Sequence, residues 1–502
     1  MSFPLLSLVV FLPAVAGLAL LCVRSLAGQA RAASLIVTCV NAVLIFGAAF
    51  SSGGFEERHD WLPAIGFQYH LAADGISLVF LLLTAVVMLM SLLASAQFSG
   101  ANRPYYGLML LLQSGLLGTF TAQNFLHFFL FWELSLIPAF FLVKNFGGHQ
   151  RGFAATQFFI YTMLGSVAML VGFVALYLVR GTMNFAELAS APDTLASALQ
   201  AKLSWTSLTG SQLAQIVFLL AFAGVAVKVP LWPLHSWQPE TYVQAPTPVT
   251  MALTGAMSKM GVYALIRLIY PIFPREIAAF HQPLLALAVI TILYGALAAF
   301  AQRDIKRLFA YSSLSHLGYC FLGIVAAAKT SGLADDRAAA VNGVLLQALS
   351  HGLIAAALFA FVGFLEQRGQ GSRALDSFGG LRKINPEFAG LMGIALFASL
   401  GLPGLSGFPA EFLIFKGAFP FAPVACSIAV LGLLLTALYL LTFYGKVFYG
   451  PLGTTAGADL TIHEKLVVLP ALAAAFLLGF APQIAIQLFN GPVTRLVEQL
   501  GI

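Results

Sequence analysis

Long apolar segments follow one another along almost the whole chain, and short polar stretches separate them. A helix needs roughly 20 apolar residues to cross about 30 Å of hydrocarbon. Fourteen segments of this kind lie near residues 3–23, 34–52, 72–95, 105–122, 124–143, 156–179, 211–229, 245–270, 282–301, 308–328, 340–364, 386–418, 422–445 and 464–485. The sequence therefore predicts an all-α polytopic membrane protein with about 14 transmembrane helices, built as a single integral membrane domain over residues 1–502.

Charged residues are too few for a protein that folds in water. The 502 residues include 25 Lys and Arg and 19 Asp and Glu, which is 9% of the chain, while 60% is hydrophobic. A soluble domain carries roughly 25% charged residues. This scarcity excludes a soluble enzyme and a disordered protein. The net charge of +6 is explained by cations in loops on one side of a membrane rather than by a nucleic-acid partner.

The distribution of cations between loops predicts the orientation. Loops that follow predicted helices 1, 3, 5, 9 and 11 contain Arg24, Arg31, Arg103, Lys144, Arg151, Arg303, Lys306, Arg307, Arg368, Arg373, Arg382 and Lys383. Loops that follow helices 2, 6, 8 and 10 contain only Arg58, Arg180, Lys202, Arg267, Arg275, Lys329 and Arg337. Because cytoplasmic loops collect Lys and Arg, we expect a bacterial inner (cytoplasmic) membrane protein with both termini on the non-cytoplasmic side.

Two apolar segments are interrupted by glycine and proline, at Val227–Glu240 and at Gly401–Glu411. Proline removes a backbone donor and clashes with the preceding turn, so each segment is predicted to be a discontinuous helix. A pair of such breaks in the two halves of a transporter indicates an ion path. The alternative is a simple proline kink in each helix.

Four charged residues fall within or beside the apolar segments: Glu133, Lys228, Lys259 and Glu411. A buried charge costs several kcal/mol unless it is paired or hydrated. Burial disfavours the charged form of a lysine and a nearby carboxylate favours it, so a Glu–Lys pair can act as a switchable proton site. The alternatives are that Lys228 extends its ammonium to the interface and that Glu411 lies at an interface.

Three histidines are candidate relays because histidine titrates near neutral pH. His235 lies in the first interrupted segment, and His316 and His351 lie in predicted helices. A single histidine in a helix is more often a core residue with its hydrogen bonds satisfied, and this alternative stays open for each of them.

Motifs for cofactor binding are absent from the sequence. Cys22, Cys39, Cys320 and Cys426 are widely separated and form no CxxC pair. The dinucleotide, P-loop, zinc-protease and hydrolase motifs do not occur. We expect no metal and no cofactor in this chain.

Several motifs, in order along the chain, resemble one family of membrane subunits. The runs 228–240, 244–247 and 259–263 resemble the proton-channel motif of antiporter-like subunits, which occur in respiratory complex I, related hydrogenases and multisubunit Na⁺/H⁺ antiporters. Within this group, the runs most similar to the subunit M (chain 4) family of NADH:quinone oxidoreductase are 72–77, 131–134, 304–313 and 401–412. The resemblance extends from about residue 70 to residue 450.

This resemblance implies a division of the chain and a set of partners. Two inverted five-helix repeats, each with a discontinuous helix, would occupy residues 105–270 and 282–450. N-terminal helices would precede them over 1–104, and a C-terminal helix and tail would follow over 464–502. Partners would be membrane lipid and other membrane subunits of the complex, including neighbouring antiporter-like subunits. Those partner subunits would hold flavin, iron–sulfur clusters and quinone.

The resemblance also implies roles for the charged residues. Glu133 would tune Lys228, Lys259 would be the central relay lysine, and Glu411 would be the acid on the exit side. The chain would pump protons as a subunit of an enzyme complex, carry no redox centre and be driven by quinone reduction elsewhere.

One departure from the family pattern leaves alternatives open. The usual Pro-Asp-Ala-His reads Pro239-Glu240-Thr241-Tyr242 here, which replaces a histidine by Tyr242. The chain could therefore belong to a hydrogenase-linked or photosynthetic relative of complex I, or to a multisubunit Na⁺/H⁺ antiporter. A membrane enzyme such as a lipid transferase would depend on the acidic pair Asp335-Asp336, which a solvated loop end explains better.

Overall fold

The structure is a computed structural model that describes residues 4–51, 55–62, 67–190, 194–329, 333–453 and 457–499. Its first ten helices are α1 (Leu5–Cys22), α2 (Ala30–Ala49), α3 (Gly75–Ala94), α4 (Arg103–Thr121), α5 (Phe125–Phe146), α6 (Arg151–Arg180), α7 (Phe185–Ala189), α8 (Leu195–Lys202), α9 (Gly210–Lys228) and α10 (Trp237–Gln244). The remaining helices are α11 (Thr247–Ile272), α12 (Pro274–Ala279), α13 (His281–Phe300), α14 (Ile305–Ala327), α15 (Ala334–Arg368), α16 (Pro386–Ser399), α17 (Gly407–Ala418), α18 (Pro423–Phe448), α19 (Ile462–Phe480) and α20 (Gln483–Gln499).

Each of the fourteen predicted segments corresponds to one helix or to one interrupted helix. Among the described residues, 12 helices are long and apolar enough to cross a membrane, and the other two segments are α4 and the pair α16 and α17. α4 is less apolar because it contains polar side chains, which form hydrogen bonds inside the protein. Gln113 Oε1 accepts from Thr38 Oγ1 of α2 at 2.7 Å, and Ser114 Oγ donates to a backbone carbonyl at 2.8 Å. The predicted all-α polytopic architecture is confirmed. Phe3, Ser52 and residues 500–502, at the ends of the predicted elements, lie outside the described residues.

Polar side chains fix where many of the helices begin. An oxygen of the residue that precedes the helix accepts a hydrogen bond from a free amide of the first turn. This arrangement occurs at Asp74, Asn102, Asn124, Asn184, Thr209, Asp304 and Thr461. The short polar stretches between apolar segments therefore define the helix boundaries.

An antiparallel hairpin of β1 (Phe55–Leu62) and β2 (Phe67–Ala73) was not predicted. The carboxylate of Glu57 on β1 accepts hydrogen bonds from the backbone amides of Leu6 at 2.6 Å and Ser7 at 3.1 Å. Because these amides belong to the first turn of α1, the hairpin caps the amino end of that helix.

Both predicted helix breaks are present. The first lies between the end of α9 at Lys228 and the start of α10 at Trp237, whose indole nitrogen donates to a carbonyl of the last turn of α9 at 3.0 Å. The second lies between α16 and α17, where Gly401 and Gly404 have φ angles of 80° and 91°. Only glycine adopts this left-handed conformation without strain, so these two glycines make the second break.

Two π-helical turns interrupt α11 on either side of Lys259, at Leu253–Met257 and Leu265–Ile269. In the first, the Ser258 amide bonds to the carbonyl of Leu253, five residues earlier, at 3.0 Å. The wider turn changes the direction of nearby carbonyl groups. This irregular backbone is buried by the surrounding helices, as it must be at membrane depth.

The backbones of α11 and α15 touch where two glycines meet. A Cβ atom on Gly352 would lie 2.7 Å from the Gly255 carbonyl oxygen, and one on Gly255 would lie 2.7 Å from Val87. Small residues allow membrane helices to approach this closely. Because His351 is next to Gly352, this crossing sets the distance between α15 and the Lys259 region of α11.

Replacement of Gly352 by valine tests this crossing. The added side chain has no room, so we expect the free energy of unfolding to fall by about 1–3 kcal/mol, as for other overpacked sites. The measurement is thermal unfolding of the detergent-solubilised protein. Gly390→Val on α16 is the control, since a Cβ there meets no atom within 4 Å. Equal loss in both variants would contradict the close crossing.

Candidate functional site

Glu133 on α5 and Lys228 at the end of α9 form the first part of the site. The Lys228 ammonium is buried and lies 5.0 Å from the centre of the Trp132 ring. The charges of Glu133 and Lys228 interact, yet among the described residues neither group has a hydrogen-bonding partner. Ser166, which accepts a hydrogen bond from Trp132 Nε1 at 3.0 Å, also faces Glu133. Packing, the opposite charges and the neighbouring Trp132 and Ser166 side chains hold the two groups.

Lys259 is fully buried and has three polar neighbours. Its Nζ atom lies 2.6 Å from the Thr254 carbonyl oxygen, 3.3 Å from Ser258 Oγ and 2.8 Å from His351 Nδ1. An ammonium group has three donors, so these contacts satisfy all of them. Thr254 belongs to the first π-helical turn, so this turn supplies the carbonyl group that contacts Lys259.

Two histidines continue from Lys259 towards Glu411. The rings of His351 and His316 lie 5.2 Å apart, centre to centre. His316 Nδ1 is 3.4 Å from Glu411 Oε1, and its Nε2 is 3.3 Å from Ser399 Oγ. Four side chains thus lie in succession within the protein, and we call them the relay series: Lys259, His351, His316 and Glu411.

Two small internal cavities adjoin His351. Each has a volume of about 10 Å³, close to what one water molecule requires. The side chains that line the first include His316, Gln347, Ser350, Ser399 and Glu411, and those that line the second include Ser312, Ser313 and Ser399. Polar side chains form part of the lining of both cavities, so each suits a bridging water beside the relay series.

Glu411 on α17 lies beside the second helix break. A Cβ atom on Gly401 would lie only 2.6 Å from Glu411 Oε2. The glycine therefore provides the space that the carboxylate occupies. This explains why the acid and the break occur together in the sequence.

His235 lies apart from the relay series. Its buried ring contacts Tyr294 edge-on at 4.8 Å and Tyr311 at 6.3 Å. Its role as a relay stays a prediction. The nearby Glu240 pairs with Arg307 at 2.7 Å, so the acidic residue of the altered family motif is neutralised.

Sequence reasoning missed several groups of the site. Trp132, Ser258 and Gln347 contact the titratable residues but have no unusual position in the pattern of apolar residues. Trp132 is next to Glu133, which was the only available indication. Over the residues that the structure describes, no group of three or more His, Cys, Asp or Glu side chains could hold a metal ion.

The fold and the site define an antiporter-like polytopic membrane protein with ionisable groups in its interior. The chain belongs to the NADH:quinone oxidoreductase/Mrp antiporter transmembrane family, whose sequence profile matches residues 122–438. An NADH-quinone oxidoreductase subunit M from Rhodobacter capsulatus is 35% identical, over 98% of this chain and 96% of that protein. An NAD(P)H-quinone oxidoreductase chain 4 from Acaryochloris marina is 34% identical, over 99% and 93%.

Two solved structures have folds similar to that of this chain. A chain of respiratory complex I from Thermus thermophilus with bound NADH is 30% identical, with a TM-score of 0.87 over 99% of this chain and all of that one. A chain of the Mrp complex from Dietzia sp. DQ12-45-1b has a TM-score of 0.84 over 99% of both chains. At 20% identity, the second likeness is one of fold alone.

Removal of the unbonded Glu133–Lys228 pair should not weaken the fold. We expect the double variant Glu133→Gln, Lys228→Met to leave the free energy of unfolding unchanged or to raise it by about 1–4 kcal/mol, because desolvated charges are removed. Thermal unfolding of the purified protein measures this. Lys306→Met is the matched control, since its buried ammonium donates to the Ala245 carbonyl at 2.6 Å and its loss should destabilise. A less stable double variant would contradict the geometry.

Proposed function

We propose that this chain is the proton-translocating subunit M (chain 4) of a membrane-embedded NADH:quinone oxidoreductase. The observation that carries the proposal is the relay series from Lys259 through His351 and His316 to Glu411, with 2.8 Å between the first two side chains and 3.4 Å between the last two. Every member of the series can hold and release a proton. The relatives named subunit M and chain 4, which match over nearly the whole chain, support the same function.

In the proposed cycle, a change in separation between Glu133 and Lys228 alters the protonation of the lysine. When the carboxylate is close it favours the ammonium form, and when it moves away burial favours the neutral amine. The released proton passes to Lys259 and leaves through Glu411. Moving one charge against 100 mV requires about 2.3 kcal/mol, so the cycle needs the energy of quinone reduction in partner subunits.

The proposal places the chain in a larger complex in a bacterial inner membrane. The exposed faces of α2, α6 and α18 are rich in large apolar side chains, which suits contact with lipid and with neighbouring antiporter-like subunits. Flavin, iron–sulfur clusters and quinone would be held by partner subunits, and this chain would contribute no redox centre. Both termini would lie on the non-cytoplasmic side.

The same proposal divides the chain into functional parts. The two repeats would cover 105–270 and 282–450, so the first contains Glu133, Lys228 and Lys259. The second contains His316, His351 and Glu411. The relay series would thus cross from one repeat to the other.

A multisubunit Na⁺/H⁺ antiporter is the second candidate, because the family profile that matches this chain also covers Mrp antiporters. A hydrogenase-linked or photosynthetic relative of complex I would use the same relay series with another electron donor. Sodium-dependent pH changes in vesicles, without any NADH requirement, would favour the antiporter.

Proton pumping in Glu133→Ala and Lys228→Ala variants tests the proposal. We expect proton translocation and coupled NADH oxidation in inside-out membrane vesicles to fall about a hundredfold or more, since a positioned acid or base contributes that much. Lys446→Ala is the control, because this half-exposed lysine lies 3.8 Å from Asp376 and does not belong to the relay series. Normal pumping in both variants would refute the proposed function.

A further inference from the structure

A large cavity opens on the side of the protein where the loops are rich in cations. Its volume is about 400 Å³, and its lining includes Lys306, Glu366 and Arg373. Gln367 and Gly371 also line it and are exposed, so the cavity reaches solvent among the loops that follow α13 and α15. The charged and amide groups of its wall suit water.

This large cavity and the second of the small cavities beside the relay series lie one helical turn apart. On α14, Lys306 lines the large cavity, and Phe309, one turn further along, lines the small one. On α15, Gly363 lines the large cavity, and Phe359, one turn earlier, lines the small one. Residues three or four apart share one face of a helix, so both cavities border the same interface between α14 and α15. The rings of Phe309 and Phe359 occupy the turn that separates them.

The two phenylalanine rings belong to a row of four buried aromatic rings that runs from α10 to α18, which we call the aromatic layer: Tyr242, Phe359, Phe309 and Phe443. Successive ring centres lie 5.8, 6.3 and 5.3 Å apart, and each pair meets edge to face. The two central rings carry no polar atom, so water between the cavities would lack hydrogen-bonding partners there. The aromatic layer therefore keeps the two cavities apart.

We propose that the aromatic layer is a hydrophobic gate between the large cavity and the relay series. With the rings in place the layer is dry, and a proton does not pass because a charge among apolar groups costs several kcal/mol. When a central ring turns aside, water joins Lys306 in the large cavity to Ser312 and Ser313 in the small one. A proton then crosses by exchange along the water molecules, each of which accepts one proton and gives up another. The gate rests on the proposed function of the relay series.

Truncation of a central ring should hold the gate open. A void lined by apolar atoms alone stays dry. The space left by Phe359 would instead adjoin the polar groups of both cavities, with Lys306 on one side and Ser312 and Ser313 on the other. Water in that space would have hydrogen-bonding partners, and protons could return through it down their gradient.

Phe361 provides a matched control on the same helix as Phe359. Its side chain is equally buried, and its ring centre lies 5.4 Å from that of Phe388 on α16. It lines none of the three cavities. Phe361→Ala therefore removes the same atoms from α15 and leaves the aromatic layer intact. Phe359→Leu keeps an apolar side chain in the layer and is expected to keep it closed.

The test is the passive loss of a pH gradient, without NADH, from proteoliposomes that contain the assembled complex. Phe359→Ala and Phe309→Ala are each expected to raise the rate of proton loss about tenfold or more, which corresponds to a barrier lower by about 1.4 kcal/mol. Phe361→Ala and Phe359→Leu are expected to stay at the level of the unaltered protein. Unaltered proton loss in both Phe359→Ala and Phe309→Ala would overturn the gate. Equal increases in Phe359→Ala and Phe361→Ala would also overturn it, in favour of a general loosening of the packing.

Lys259→Ala separates the failure of this inference from that of the proposed function. Normal NADH-driven translocation in Lys259→Ala would refute the proposed function, on which the gate rests. Lost translocation in Lys259→Ala, with no added proton loss in Phe359→Ala, would refute only the gate. Lost translocation in Lys259→Ala, with added proton loss in Phe359→Ala and none in Phe361→Ala, is the result that the gate predicts.

Discussion

The protein depends on holding the ammonium group of Lys259 away from bulk solvent. An unpaired ammonium in such surroundings would cost many kcal/mol, so polar atoms must be brought to Lys259 from the elements around it. The π-helical turn provides the Thr254 carbonyl, and α15 provides His351. The glycine contact between Gly255 and Gly352 allows the two helices to approach closely enough. The irregular backbone of α11 thus provides one of the polar partners of the buried charge.

Lys228 and Lys259 are held in different ways, although both are buried. Lys259 has three polar contacts, whereas Lys228 has the face of Trp132 and the charge of Glu133. A group held by a single charge is sensitive to the position of that charge. Lys228 is therefore suited to respond to a displacement of Glu133. Lys259 is suited to receive the proton that Lys228 releases.

Much of the fold could be predicted from the sequence, because apolar length and proline position act locally. The fourteen segments and both breaks follow from such patterns, and the four charged residues within or beside the apolar segments stand out against them. The contact between His316 and His351 could not be predicted, since the two residues lie on different helices and meet only through the packing of α14 and α15. The π-helical turns on either side of Lys259 likewise have no local pattern.

The central claim is that protons pass between Lys259 and Glu411 through two histidines. The most direct measurement is the number of protons translocated per NADH oxidised by the assembled complex in proteoliposomes carrying His351→Gln, compared with His281→Gln. Glutamine can keep hydrogen bonds but cannot take up a proton, and His281 is a buried histidine at the start of α13, outside the relay series. The account predicts a lower ratio or a halted turnover in His351→Gln alone. An unchanged ratio and rate in His351→Gln would contradict it.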